Sequence, residues 1–106
     1  MPYKDYHYFI DEDNLVFVQF TTEKGTVLQF VVKYYSRIGD QWREIVRYDS
    51  GHDCPHKDVL LPDGGIIRKI WYEYMDNAQA LTFAMRDVLE NYQFYLERFR
   101  KWLKND

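Results

Sequence analysis

The C-terminal segment most strongly limits the folds open to this chain. From Ala78 to Leu103 it contains neither proline nor glycine, the residues that most often interrupt a helix. Apolar side chains recur there at alternating spacings of four and three: Leu81, Met85, Val88, Tyr92, Tyr95, Phe99 and Trp102. This period predicts one amphipathic α-helix over about residues 77–104, whose apolar stripe must be covered by another layer.

The start and length of this helix lead to two further expectations. Asp76 can accept a hydrogen bond from a free backbone N–H, and Gln79 stands three residues later to return one, as in a capping box. The helix extends about 40 Å at 1.5 Å per residue, whereas an ordinary strand spans about 20 Å. Either the helix lies diagonally over a curved sheet, or its C-terminal half packs on a second copy in a homodimer.

The chain before the helix has the composition of an antiparallel sheet. Four stretches are rich in β-branched and aromatic residues, and they cover residues 15–22, 26–36, 41–49 and 66–74. Residues 1–13 fit either an edge strand or an arm. We therefore predict an α+β fold with a curved antiparallel meander of three to five strands, over about residues 15–74. One long C-terminal helix packs on it, and residues 1–106 form a single domain.

Composition narrows the classes of function. A net charge of −3 argues against non-specific electrostatic binding of nucleic acid by the whole surface, although local basic patches can still bind phosphate. Cys54 is the only cysteine, so the fold does not depend on an internal disulfide. The chain has no apolar run long enough for a signal peptide or a membrane span. We expect a cytoplasmic protein without membrane contact.

Reactive side chains are concentrated in the stretch Arg47–Asp58, which holds two of the three histidines, the only cysteine and three aspartates. Two neighbouring histidines can share proton removal and delivery near neutral pH, as RNA cleavage through the 2′-hydroxyl requires. This hypothesis makes His52 and His56 the acid and base, and Asp49 the group that orients one of them. It needs no cofactor. The residues predicted to hold phosphate are Arg43, Arg47 and Lys57.

Two other interpretations of this stretch stay open. His52, Cys54 and His56 offer nitrogen and sulfur donors that Zn²⁺ accepts, and a neighbouring aspartate would complete the site. Alternatively the loop is structural, because Asp and Ser side chains often bind the backbone of their own turn. Under either interpretation the protein is a non-enzymatic binding or dimerisation module, and under the first it holds zinc.

One sheet face has the residue types of a surface for single-stranded RNA. If the helix covers the other face, cations and aromatic rings share the exposed one, where stacking and charge together bind unpaired bases. The residues concerned are Gln29, Lys33, Tyr35, Arg43, Arg47, Lys69 and Trp71. An ordinary solvated face of an antiparallel sheet has a similar composition. The expected partner is therefore RNA or a cognate protein.

The stretch Val46–Asp58 resembles a family of short uncharacterised prokaryotic proteins with the pattern R-Y-D-x-x-H-x-x-P-H-[RK]-D and a following Pro-Asp-Gly turn. The similarity continues into Ala80–Ala84 and Tyr95–Leu103, about the C-terminal two-thirds of the chain. The motif is more loosely similar to the histidine-rich turn of TumE-type proteins of toxin–antitoxin modules. This chain has Asp53 and Cys54 where those proteins have further histidines. The resemblance implies a site at Asp49, His52 and His56 and an RNA-acting protein.

The acid–base hypothesis predicts cleavage of single-stranded RNA by the purified protein. Cleavage should be lost in the double variant His52→Ala/His56→Ala, because both proton-transfer groups are removed. It should persist with a chelator, which distinguishes this chemistry from metal-assisted hydrolysis. RNA left intact by the unmodified protein would contradict the hypothesis.

Overall fold

Six consecutive strands pair in chain order to form one antiparallel sheet in this computed structural model, which describes residues 2–104. One helix, α1, follows the sheet and spans Asn77–Lys104. The strands are β1 (Tyr3–Asp11), β2 (Asn14–Glu23), β3 (Thr26–Ile38), β4 (Gln41–Asp49), β5 (His56–Leu60) and β6 (Ile66–Trp71). The predicted α+β class and antiparallel meander are confirmed, and the element bounds of the helix agree with those expected.

The predicted count of three to five strands is wrong, because the sheet has six. Residues 3–11 form edge strand β1, so the sheet begins before the expected residue 15. Strand β5 lies inside the segment predicted to be a histidine loop. Its first three residues are ionisable, which hides the usual apolar pattern of a strand. It forms because β4 and β6 pair with it on both sides.

A register shift in β4 changes which side chains share a face. Tyr34 of β3 lies opposite Val46, but Tyr35 lies opposite Glu44, so Ile45 has no partner across the strands. An extra residue of this kind reverses the alternation of side chains beyond it. Arg43 and Arg47, four residues apart, were expected on one face. The shift puts them on opposite faces.

The helix begins at the predicted capping box and packs on the middle of the sheet. The N–H of Gln79 donates to Asp76 Oδ1 over 2.8 Å, and the N–H of Asp76 donates to Gln79 Oε1 over 3.0 Å. The apolar stripe of α1 lies against β3 and β4. The buried core between the two layers includes Val16, Val18, Val32, Tyr34, Val46, Tyr48, Ala84, Val88 and Phe99.

Much of the helix stripe is therefore covered within the chain itself. Phe99 and Leu96 are buried, whereas Phe94 is 60% exposed and Leu89 is 40% exposed. Homodimerisation through the helix stays a prediction. The apolar surface that α1 leaves exposed for a second copy is smaller than the sequence suggested. Between residues 2 and 104 no helix combines the length and apolar character needed to cross a membrane.

We predict that the free energy of unfolding falls as the pH rises above about 10. Burial raises the pKa of Tyr34 well above its usual value, and its hydroxyl donates to Asn14 Oδ1 over 2.6 Å. An unfolded tyrosine loses its proton near pH 10, so above that pH the unfolded state releases a proton that the folded state keeps. Tyr34→Phe should reduce this slope by about 1.4 kcal/mol per pH unit.

The measurement is urea unfolding of both proteins between pH 8 and pH 11.5. At pH 8 the variant should be less stable by about 1 kcal/mol, because Asn14 loses its buried donor. Stability curves that run parallel above pH 10 would contradict the assignment.

Candidate functional site

A short 3-10 turn, Gly51–Asp53, connects β4 to β5 and sets the geometry of the motif. Ser50 anchors the turn to β3: its Oγ accepts from the N–H of Phe30 over 3.0 Å, and its own N–H donates to the Phe30 carbonyl over 3.2 Å. His52 and Asp53 then adopt positive φ angles of 61° and 59°. These backbone angles are uncommon for residues other than glycine, and they cluster in tight turns and at functional sites.

Asp49 and His56 face each other across the last residue pair of β4 and β5. His56 Nε2 lies 3.2 Å from Asp49 Oδ1, and His56 Nδ1 lies 3.0 Å from the Cys54 carbonyl oxygen. The N–H of Gly51 also donates to Asp49 Oδ1, over 2.7 Å. A Cβ on Gly51 would lie 2.9 Å from that carboxylate oxygen, so a larger residue here would displace the Asp49 carboxylate.

Asp58 joins the pair from the same face of the sheet. Its Oδ2 lies 3.8 Å from His56 Nε2, and Lys69 Nζ lies 3.0 Å from its Oδ1. The lysine is not aligned for a hydrogen bond, so Asp58 Oδ1 is a buried oxygen without a hydrogen-bond partner among residues 2–104. One ligand-type atom each from Asp49, His56 and Asp58 lies within 4.8 Å of the other two. The structure thus brings together a histidine and two carboxylates.

This cluster is nearly closed to solvent, although it lies on the sheet face that α1 does not cover. The side chain of His56 is 3% exposed, that of Asp58 is 5% exposed and that of Asp49 is 21% exposed. Trp71 of β6 packs on His56 with ring centroids 4.9 Å apart. Asp49 is therefore the member of the cluster through which solvent or a ligand has access.

His52 occupies a different environment from His56. It is exposed, and together with Asp49 it lines a cavity of about 430 Å³ between the turn and the β2–β3 hairpin. The rings of His52 and His56 are 6.2 Å apart between centroids. The two predicted acid–base residues are neighbours, but only His52 presents its ring to the cavity.

The alternative metal set of His52, Cys54 and His56 is not brought together in the structure. Cys54 Sγ interacts with the Pro55 carbonyl, 3.5 Å away. Among residues 2–104, the group of three possible ligand atoms that forms around His56 contains Asp49 and Asp58 in place of His52 and Cys54. The backbone explains the exchange: Cys54 lies in a bend before β5, whereas alternation along β5 places Asp58 on the same face as His56.

The predicted phosphate-binding residues do not converge on the histidines. Arg47 lies on the same face as the cluster, but its guanidinium forms a two-point ion pair with Glu44 at 2.8 Å. Arg43 donates to the Pro62 carbonyl over 3.3 Å. Two cations of the proposed RNA surface, Arg47 and Lys69, are thus already paired with carboxylates. A basic face for RNA remains only a prediction.

Lys57 lies on the opposite, helix-covered face, because strand side chains alternate and both of its neighbours face the cluster. Its Nζ lies 3.0 Å from Asp87 Oδ2 and 2.7 Å from the Tyr95 hydroxyl. Tyr95 donates to Asp87 Oδ2 over 2.6 Å, and Tyr48 donates to the same oxygen. Lys57 is therefore separated from His56 by the sheet itself.

Lys57 and Asp87 both have pKa values shifted by their buried environment. Burial lowers the pKa of Lys57, although the charge on Asp87 opposes the shift. Burial also raises the pKa of Asp87, but the hydrogen bonds from Tyr48 and Tyr95 outweigh it, and the net pKa is below the usual value. Sequence reasoning missed Asp87. The available indication was its spacing of four residues from Asn91 and eight from Tyr95, along one ridge of the predicted helix.

The fold and the cluster define an α+β protein with a buried histidine–dicarboxylate group on the open face of an antiparallel meander. The chain belongs to the family described as "Domain of unknown function (DUF7718)", which matches residues 1–105. The match extends well beyond the C-terminal two-thirds covered by the motif resemblance. No curated protein and no solved structure matched, so the likeness to TumE-type proteins gains no support from these comparisons.

We predict that the buried Lys57–Asp87 pair is energetically coupled. Asp87→Asn should lower the free energy of unfolding by about 3 kcal/mol, because it leaves the buried ammonium without a counter-charge. In Lys57→Met/Asp87→Asn the loss should be smaller than in Asp87→Asn alone, because no uncompensated charge remains.

Urea unfolding of the two single variants and the double variant measures the coupling. Asn91→Ala is a matched control, since it removes only an exposed donor to the other oxygen of Asp87. If the losses in the free energy of unfolding caused by Lys57→Met and by Asp87→Asn simply add in the double variant, the pair is not coupled.

Proposed function

We propose that this protein is a small binding protein whose central site holds one divalent metal ion on Asp49, His56 and Asp58. The proposal keeps the zinc-holding interpretation of the motif and exchanges two of its ligands. The observation that supports it best is the orientation of the His56 ring. Nδ1 is directed at a backbone carbonyl, and Nε2 is directed at two carboxylates.

The ring orientation calls for positive charge between His56 and the carboxylates, supplied by a second proton on the imidazole or by a metal ion. A carbonyl oxygen only accepts hydrogen bonds, so Nδ1 carries a proton and donates it to Cys54. With Nδ1 protonated, neutral imidazole has a lone pair on Nε2, which would oppose the carboxylate lone pairs. Either a second proton or a metal ion must lie between them. Histidines that bind metals commonly donate their other N–H to a backbone carbonyl, as His56 does.

Distances in the cluster agree with a small divalent ion. Ligand atoms about 2.0–2.2 Å from a tetrahedral Zn²⁺ lie about 3.3–3.6 Å from one another. The Nε2 of His56 is 3.2 Å and 3.8 Å from the two carboxylate oxygens, and all three ligand atoms lie within 4.8 Å of one another. One nitrogen and two oxygens are donors that Zn²⁺ and Mn²⁺ both accept. Three protein ligands leave a coordination position for water or a ligand.

Neighbouring charge and access to solvent both affect whether an ion can enter the cluster. Asp58 Oδ1 is buried and lies 3.0 Å from Lys69 Nζ, so a metal ion bound through Oδ2 would share this carboxylate with the ammonium. Asp49 provides the route, because it also lines the cavity of about 430 Å³. The competing occupant is a proton, which would make His56 an imidazolium bridging Asp49 and Asp58. The experiment must therefore distinguish metal from proton.

The test is titration of chelator-treated protein with Zn²⁺ and with Mn²⁺, followed by calorimetry. We expect one ion per chain, with affinity reduced at least 100-fold in Asp58→Asn, because the loss of partners behind the ligands alone costs about 10–100-fold. Asp53→Asn is the matched control: this aspartate is exposed in the adjoining turn and should leave affinity unchanged. Circular dichroism establishes that each variant is folded.

Two results would contradict the proposal. One is a folded protein that binds neither ion saturably, which would identify the cluster as a proton-bridged structural network. The other is equal affinity in the unmodified protein and Asp58→Asn, which would place any bound ion elsewhere.

An RNA-acting protein of toxin–antitoxin type is the second candidate, and the cavity beside His52 is the observation that favours it. His52 and Asp49 both line this cavity, so they are the residues that could meet a nucleotide. His56 would then orient Asp49 from behind, without touching RNA. In this candidate the expected partner is RNA or a cognate protein. Self-association would use the exposed Leu89 and Phe94 of α1, and a cytoplasmic location stays part of the hypothesis.

A further inference from the structure

A second cavity, of about 220 Å³, opens on the helix-covered face between β5, β6 and the C-terminal half of α1. Three cations contribute to its lining, and the remaining wall is apolar. The cations are Lys57, Arg68 and Arg98, and the apolar wall includes Val59, Ile70 and Trp102. The lining contains no acidic residue, although the chain as a whole carries a net charge of −3.

The positive charges of this cavity are unequally compensated. Lys57 already has Asp87 as its counter-charge. Within residues 2–104 neither Arg68 nor Arg98 forms an ion pair with a carboxylate, and Arg98 Nε is buried without a hydrogen-bond partner. Burial lowers the pKa of Arg98, and the nearby charge on Arg68 lowers it further. Arg68 and Arg98 thus both border this cavity, and neither is paired with a carboxylate among the described residues.

Aromatic rings hold the Arg98 guanidinium in place. Its Cζ lies 5.2 Å from the ring centroid of Trp102, 5.3 Å from that of Phe94 and 5.4 Å from that of Tyr95. Contacts of this kind attract a cation to the ring face and restrict the side chain. The donor groups of Arg98 are therefore oriented before a ligand arrives, which lowers the entropy cost of binding.

We propose that this cavity binds a small phosphate monoester, with the phosphate between Arg68 and Arg98 and its apolar substituent against Ile70 and Trp102. Two uncompensated guanidinium groups match the charge of a phosphate near −2, and the planar arginine fork suits its oxygens. The volume is below the range of about 300–1,000 Å³ typical of sites for drug-sized ligands, so the ligand is small. This site is on the opposite face from the Asp49–His56–Asp58 cluster and does not depend on it.

The experiment is calorimetric titration with phenyl phosphate, inorganic phosphate and benzoate. We expect saturable binding of phenyl phosphate with a Kd below about 1 mM, because it combines a dianion with an apolar group. Inorganic phosphate should bind at least threefold more weakly, and benzoate, a monoanion, at least tenfold more weakly. Between pH 7.5 and pH 5.5 the affinity for phenyl phosphate should fall, since the phosphate takes up a proton near pH 6.

Variants locate the site. Arg68→Gln should weaken phenyl phosphate binding at least tenfold, and this residue is exposed at the rim, so the change should leave the fold intact. Arg98→Gln should have a similar effect. Arg100→Gln is the matched control, because Arg100 is exposed on the same helix and does not line the cavity. Absence of saturable binding by the unmodified protein, or equal affinity in Arg68→Gln and the unmodified protein, would overturn the proposal.

Discussion

Strand β5 is buried on both of its faces although its first three residues are ionisable. His56, Lys57 and Asp58 are at most 6% exposed. An ionised group removed from water is tolerated only with a charged or hydrogen-bonding partner. Since strand side chains alternate, His56 and Asp58 need partners on the open face and Lys57 needs them under the helix. Asp49 and Lys69 serve the first need, and Asp87 and Tyr95 serve the second.

This division of charge links the sheet register to the position of the helix. A slip of one residue between β4 and β5 would move Lys57 to the open face and turn His56 and Asp58 toward Asp87 and the helix. The ion pair between Lys57 and Asp87 would then be broken, and Asp87 would be left under the helix without its ammonium partner. We infer that the charged residues of β5 help to specify the register, a role that an apolar strand could not perform through hydrophobic contact alone.

The two faces of β5 also separate two kinds of chemistry. On the open face, a histidine and two carboxylates present nitrogen and oxygen donors, which suits a cation. On the helix face, two arginines without counter-ions border a small cavity, which suits an anion. Only the thickness of one strand separates these opposite preferences. The two proposed sites are compatible with each other because the sheet separates them.

Much of the fold was accessible from the sequence because it depends on local periodicity. The capping box at Asp76 and Gln79 and the uninterrupted stripe of α1 predicted the helix, and strands β2 to β4 have the expected apolar and aromatic composition. Edge strand β1 and strand β5 were harder to predict, because exposure makes β1 polar and specific pairing makes the charges of β5 tolerable. The register shift at Ile45 places Arg43 and Arg47 on opposite faces, and no feature of the neighbouring sequence indicates it.

The sequence alone determined the α+β class, the position of the long helix and the concentration of reactive residues between Arg47 and Asp58. These properties depend on spacing and composition over short stretches. Only the tertiary structure decided that His56 joins Asp49 and Asp58, that Lys57 joins Asp87, and that His52 faces a cavity. The physical reason is that strand pairing and alternation assign each side chain to a face. The long-range partner, 30 residues away for Lys57, then decides whether a buried charge can exist there.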